Sequence, residues 1–282
     1  MKKFKILLFT VIAMFTTIAL CACDTSDEPT PPPEPAPGVE EITITHHNRT
    51  VYAEIFRPDA SYFPVVIFSH GYNGYKDDFK SSANYLMENG FGAITFTFCG
   101  SGARDKSELA TTDMTLYTEK EDLCAVIDYA KSLKWFNGKL FLLGGSQGGM
   151  VTAMAAEERA DDIAGMALLF PAFNIPVDWK AMYPNDNAVP ETIDWMGVKL
   201  GKNFVLSMRD LDIFKNMESF TKPVLLFHGT NDNLVNIEYS KRAAQTYPNA
   251  ELITYAGEGH GFTPLTMKKV NEKLLDLIYD NV

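Results

Sequence analysis

Between the apolar run Lys139 to Leu143 and a helix-like stretch starting at Gln147 lies Gly144-Gly145-Ser146-Gln147-Gly148-Gly149. A serine on so abrupt a strand-to-helix turn must take a positive φ with its backbone pressed against neighbouring elements. The positions two residues away on either side, Gly144 and Gly148, then have no room for a Cβ. The G-x-S-x-G pattern therefore restricts this stretch to one strand, one sharp turn and one helix, and it makes Ser146 a candidate nucleophile. Glycine-rich turns carry such a serine by chance as well, so the assignment needs a base, an acid and oxyanion donors from elsewhere in the chain.

The rest of the body alternates in the same way. Ile42 to Thr45 and Val51 to Arg57 read as adjoining strands. Val65 to Ser69, Gly92 to Phe98, Leu140 to Leu143, Ile163 to Phe170, Val224 to Phe227 and Glu251 to Tyr255 read as short buried strands. Helical spacing runs over Asp77 to Glu88, Thr118 to Lys134, Gln147 to Arg159, Glu238 to Tyr247 and Thr266 to Tyr279. Strands that are apolar throughout and alternate with helices predict an α/β fold, a mostly parallel central sheet with helices on both faces. In such sheets chemistry sits beyond the carboxyl ends of the strands.

Each of those ends carries something. After Val65 to Ser69 comes His70-Gly71-Tyr72, where a glycine lets the loop approach closely enough for the Tyr72 N–H to face a substrate oxygen. The Gln147 N–H opens a helix, where a developing oxyanion is stabilised. Tyr72 and Gln147 are thus the expected oxyanion donors, through backbone. After Val224 to Phe227 comes His228-Gly229-Thr230-Asn231-Asp232-Asn233, and after Glu251 to Tyr255 comes Gly257-Glu258-Gly259-His260-Gly261-Phe262. His260, set between glycines, is placed to take the Ser146 proton and return it to a leaving group, with Asp232 fixing its tautomer. Glu258 is the alternative acid, disfavoured by its nearness to His260 in sequence. His70 and His228 read as loop-shaping residues, and His46 and His47 as part of a hairpin turn.

HGY, GGSQGG, HGTND preceded by Phe220-Thr221-Lys222-Pro223, and GEGHGF, spread from about Val65 to the C-terminus, resemble the serine α/β-hydrolases and among them the cinnamoyl or feruloyl esterase-like branch. The resemblance implies an α/β-hydrolase fold with a small cap insertion, a carboxylic-ester hydrolase acting through an acyl-enzyme on Ser146, and no cofactor. Two positions depart from the branch pattern. Gly145 stands where GHSQGG has histidine, and Thr97-Phe98-Cys99-Gly100-Ser101-Gly102 stands where D-x-x-G-H-G is usual. The cap is expected at about 172–220, since so long a connection in a compact domain is usually functional. It carries Trp179, Met182, Tyr183, Trp195, Met196, Phe204, Met208 and Phe214, suited to an aryl or other bulky apolar acyl group, although most can equally form the cap's own core. Trp179, Trp195 and Phe204 are the candidate pocket residues. Phe204 falls near a tyrosine of phenol-binding members, which weakens a specifically feruloyl expectation.

The amino-terminal end sets an expected compartment. Lys2, Lys3 and Lys5 precede an apolar run, Ile6 to Leu20, with the layout of a secretory signal. It closes with Leu20-Cys21-Ala22-Cys23, which looks like a bacterial lipoprotein signal with Cys23 as the lipidated first residue; Cys21 is the weaker choice. Residues 1–22 are then the signal and 23–38, with six prolines between Pro29 and Pro37, an extended acidic tether. Residues 39–282 form a single catalytic domain of ample size for one core. The expected setting is extracytoplasmic, at a membrane through the lipid on Cys23.

With 25 basic and 36 acidic residues the chain carries a formal charge of −11, and loss of the three signal lysines makes it more acidic. Such a surface disfavours nucleic acid as a partner. Cys99 and Cys124 are expected as free thiols, and no CxxC or His/Cys cluster supports a metal. The expected substrate is a small-molecule or polysaccharide-linked acyl ester, with an aryl or acetyl acyl group. A serine peptidase of the same fold and a non-catalytic surface-binding lipoprotein are the alternatives.

Overall fold

The computed structural model describes residues 36–282, so the expected signal, Cys23 and the expected tether up to Pro35 lie outside the described residues. The chain opens with β1 (Gly38–His46) and β2 (Arg49–Arg57), an antiparallel pair. Their turn is His47-Asn48, both at positive φ (46° and 62°). His46 ends β1 rather than lying in the turn, and its Nε2 is 2.7 Å from Asp122 Oδ1. Next come β3 (Phe63–Ser69), α1 (Lys80–Glu88) after one 3-10 turn, and β4 (Gly92–Phe96). They are followed by α2 (Leu116–Ser132), β5 (Phe136–Gly145), α3 (Gln147–Glu158) and β6 (Gly165–Leu169).

An insertion then intervenes. It holds α4 (Ile175–Met182), a separate two-stranded hairpin of β7 (Thr192–Trp195) and β8 (Val198–Gly201), and α5 (Lys202–Ser207). The hairpin turn is Met196-Gly197, with φ of 44° and 84°. Positive φ at both central residues is the turn that matches strand twist. The chain closes with β9 (Val224–Gly229), α6 (Glu238–Thr246), β10 (Ala250–Tyr255) and α7 (Pro264–Tyr279).

The eight-stranded sheet has the order β1-β2-β4-β3-β5-β6-β9-β10, and all pairings beyond β2 and β4 are parallel. Strand side chains alternate between its faces. Val65 and Ile67 of β3 join the core under α2, α3, α6 and the insertion, whereas Val66 and Phe68 join the core under α1 and α7. A strand apolar on both sides from Phe63 to Phe68 needs both covers, and each fully buried Val, Leu or Phe contributes on the order of 1.5–3 kcal/mol. Both faces are therefore sealed, and only the loops at the strand ends can form an accessible site.

Candidate active site

β5 ends at Gly145 and α3 begins at Gln147, so Ser146 alone makes the turn, at φ 54° and ψ −122°. Such a backbone costs a non-glycine residue on the order of 1–3 kcal/mol and persists only where its surroundings enforce it. Here the Ser146 N–H donates to Leu169 O of β6, and Ser146 O accepts from the Ala172 N–H, both at 2.9 Å. A Cβ on Gly148 would lie 2.2 Å from His70 O, and one on Gly144 2.3 Å from Thr152 Oγ1. The two glycines expected from the motif are thus required by close backbone approach rather than by their own φ.

The structure brings Ser146, His260 and Asp232 together. His260 Nε2 is 2.8 Å from Ser146 Oγ, and His260 Nδ1 is 2.8 Å from Asp232 Oδ2. A carboxylate only accepts, so Nδ1 carries the proton and Nε2 is free to accept from the serine hydroxyl. The Asp232 side chain is fully buried, and its Oδ1 accepts from the N–H groups of Leu234 and Val235, each at 2.9 Å. Glu258 is turned away: its carboxylate accepts from Thr263 N–H and from the hydroxyls of Thr263 and Thr266 at the start of α7. Phe170, at φ 37° just past β6, packs edge-on against the His260 ring at 4.8 Å between centroids. Its place at a strand's carboxyl end was the only sequence signal for that contact.

Tyr72 and Gln147 both line the cleft beside Ser146, and among the described residues no backbone acceptor engages either N–H. The loop's approach needs Gly71, whose hydrogen stands where a Cβ would be 3.2 Å from Ser146 Cβ. His70 is buried, with Nδ1 donating to Gly71 O at 2.7 Å and Nε2 accepting from the Phe98 N–H at 3.0 Å. Burial pushes its pKa down to about 4, which leaves it neutral and makes it a brace for the loop. The departing segment 97–102 is anchored beneath this loop, with the Cys99 N–H donating to Asp122 Oδ2 at 2.8 Å and the Gly100 N–H to Asp105 Oδ2 at 2.7 Å. Cys99 and Cys124 are free thiols.

One residue escaped the sequence reading. Glu119 on α2 is buried, and Gln147 Nε2 lies 2.9 and 2.8 Å from its two carboxyl oxygens. Burial, helped by Asp122 nearby, raises its pKa to about 8. Helix spacing alone gives no signal that this glutamate faces inward toward the first residue of α3.

The cleft holds about 640 Å³ and opens onto Ser146 and His260. Ile175, Trp179, Met182, Trp195, Met196 and Phe204 of the insertion supply most of its apolar wall. Trp179 packs on Trp195 and Phe204, at centroid distances of 5.0 and 5.8 Å, so these three serve the cap core and the cleft at once. Tyr183 stacks on Trp179 and Phe214 packs against Tyr239 and Arg242 of α6, and neither they nor Met208 are among the cleft's lining residues. Tyr72 ties the two parts, its hydroxyl donating to Trp195 O at 2.9 Å.

Residues 61–204 match the family model described as serine aminopeptidase, S33, and residues 209–278 one described as TAP-like protein. The chain is 22% identical over 259 residues to the bifunctional esterase/perhydrolase DCH of Acinetobacter calcoaceticus, covering 76% of this chain and 91% of that one. Est1E from Butyrivibrio proteoclasticus, solved with ferulic acid bound, superposes with a TM-score of 0.77 at 28% identity, over 84% of this chain and 99% of its own. A monoacylglycerol lipase from Paleococcus ferrophilus, 20% identical over 82% of this chain and 99% of its own, has a TM-score of 0.63 and shares the fold. With the family model covering half of its length and this sheet topology, the chain belongs to the α/β-hydrolase superfamily, in the family described as serine aminopeptidase, S33, and is a hydrolase of that fold.

Proposed function

We propose that the protein is a serine carboxylic-ester hydrolase working through an acyl-enzyme on Ser146. The observation that carries this is the unbroken hydrogen-bond chain Ser146–His260–Asp232 opening onto an apolar cleft beside two unengaged backbone N–H groups. As Ser146 Oγ attacks the ester carbonyl carbon, His260 Nε2 takes its proton, and the carbonyl oxygen becomes an oxyanion received by the N–H groups of Tyr72 and Gln147. Collapse of that intermediate expels the alcohol, protonated by His260. A water molecule that gives its proton to His260 then attacks the acyl carbon and releases the carboxylic acid, restoring Ser146.

The wall formed by Trp179, Trp195 and Phe204 supports an aryl or other bulky apolar acyl group over acetyl, which would leave much of the 640 Å³ unfilled. The ferulic acid bound by Est1E points the same way. In this reading Cys23 carries a lipid, the domain acts outside the cytoplasm on small or polysaccharide-linked esters, and no cofactor takes part. The description of the matching family, an aminopeptidase, favours a peptidase as the second reading.

The test is hydrolysis of p-nitrophenyl acetate, methyl ferulate and an aminoacyl p-nitroanilide by the purified protein, with Ser146→Ala as control. Ester turnover that disappears in the control supports the proposal. Equal turnover in the control removes Ser146 as nucleophile, cleavage of the anilide alone favours the peptidase, and inertness toward all three favours a binding protein.

A further inference from the structure

Asp232 Oδ2 faces two imidazoles, and the proposed reaction uses only one of them. His260 Nδ1 lies 2.8 Å from it and His228 Nε2 3.2 Å. His228 is the penultimate residue of β9, with its side chain fully buried. Its Nε2 is also 3.0 Å from Val235 O, and its Nδ1 is 2.7 Å from the hydroxyl of Ser240, a buried residue of α6. A carbonyl only accepts, so Nε2 must carry the proton, which it donates to Val235 O with the positive N–H edge beside the carboxylate. Nδ1 is then left to accept from the Ser240 hydroxyl, which thereby sets the tautomer.

Polar hydrogens therefore surround both carboxylate oxygens. Leu234 and Val235 donate to Oδ1 and His260 to Oδ2, and the His228 Nε2–H, bonded to Val235 O, lies beside Oδ2 at 3.2 Å. Each donor takes a share of a charge that has no water to spread into. Resting on the serine-hydrolase reading of Ser146, we propose that His228, oriented by Ser240, is a positioning residue that shares the Asp232 carboxylate with His260 and thereby limits the basicity of the base.

Neighbouring charges leave this arrangement alone. Glu258, on the His260 loop, is bound to Thr263 and Thr266, and Asp178, from α4, accepts from Asn174 Nδ2. Facing His228 itself are Asp232 from its own loop and His260 from the loop after β10. Burial holds the His228 pKa below the usual histidine range, so at neutral pH it is a single-proton donor and adds no second positive charge beside His260.

Removing the His228 N–H leaves Oδ2 to His260 alone and favours the imidazolium. The test is an NMR titration of labelled imidazoles in the full chain, for wild type, His228→Leu, His228→Gln and Ser240→Ala, beside kcat/KM against pH. In His228→Leu the His260 pKa is expected to rise by roughly half a unit to one unit, and the acid limb of kcat/KM to move up with it. His228→Gln, whose amide donates from about the Nε2 position, returns both toward wild type, and Ser240→Ala gives a smaller rise. A His260 pKa that stays put or falls in folded His228→Leu and Ser240→Ala overturns the proposal; if His228→Leu does not fold, Ser240→Ala decides. The titration needs no turnover, so it is independent of the ester assay, in which an active Ser146→Ala would remove the serine-hydrolase reading itself.

Discussion

The Phe79 ring fills the space beside Gly145: a Cβ on Gly145 would lie 3.1 Å from Phe79 Cζ. Phe79 in turn packs against Phe68 of β3, at 5.6 Å between centroids. The departure from GHSQGG thus has a physical counterpart, a ring standing where a residue-145 side chain would go. Gly145 has no positive φ, and its Cβ would meet Phe170 Cε2 only at an ordinary 3.8 Å, so Phe79 is the tight neighbour. Gly145→Ala asks the ring to give by a few tenths of an ångström and should cost under about 1 kcal/mol, whereas Gly145→His must displace it and should cost roughly 1–3 kcal/mol. Adding Phe79→Ala to Gly145→His should recover part of that loss, as a double-mutant cycle by urea denaturation would read.

Gly148 gives a harsher result. A Cβ there meets the backbone oxygens of His70 and Ser69 at 2.2 and 2.4 Å, and backbone cannot step aside as a ring can. Gly148→Ala should cost more than about 4 kcal/mol, among the largest single-residue effects, or prevent accumulation of folded protein. A soluble variant with wild-type melting temperature would show that α3 can shift away from the loop at His70.

The contrast between those two glycines marks what sequence can convey. Gly144 and Gly148 were legible because the turn at Ser146 demands them locally, and the strand ends carrying Asp232 and His260 were legible because short apolar runs and helical spacing fix the alternation around them. Gly145 was visible only as a departure, since Phe79, 66 positions away, explains it. Glu119 and Gln147 likewise meet across separate helices. The cap hairpin was missed for another reason: β7 and β8 have four residues each, and their turn is Met196-Gly197, where Asn-Gly or Asp-Gly would have announced it. Trp179, Trp195 and Phe204 could be named as pocket candidates from composition, but their double service to core and cleft follows from packing alone.

That double service separates the cap residues experimentally. Trp179 and Phe204 are 5% and 1% exposed, so Trp179→Ala and Phe204→Ala should lower stability by about 3–5 kcal/mol along with activity. Trp195 is only half-buried and closes the cleft near Tyr72, so Trp195→Ala should weaken kcat/KM for methyl ferulate more than for p-nitrophenyl acetate, with a smaller change in melting temperature. Equal losses on the two esters would place Trp195 outside the acyl pocket.

Two buried groups should bend stability against pH in opposite senses. Glu119 is raised in the fold from an ordinary 4.5 to about 8, so the folded state holds a proton that the unfolded chain releases. Its contribution is fully present below about pH 4.5 and is lost as pH rises toward 8. His70 is lowered from 6.5 to about 4, so its contribution is present above pH 6.5 and is lost as pH falls toward 4. Descending from pH 8, the protein gains from Glu119 until His70 cancels that gain below about 6.5, so these two groups give a plateau of highest melting temperature from about pH 6.5 down to about 4.5. Glu119→Gln, which cannot ionise, should flatten the alkaline side by scanning calorimetry while leaving the acid side in place. An alkaline decline as steep in Glu119→Gln as in wild type would mean that the carboxyl held by Gln147 is ionised throughout and that another group sets the slope.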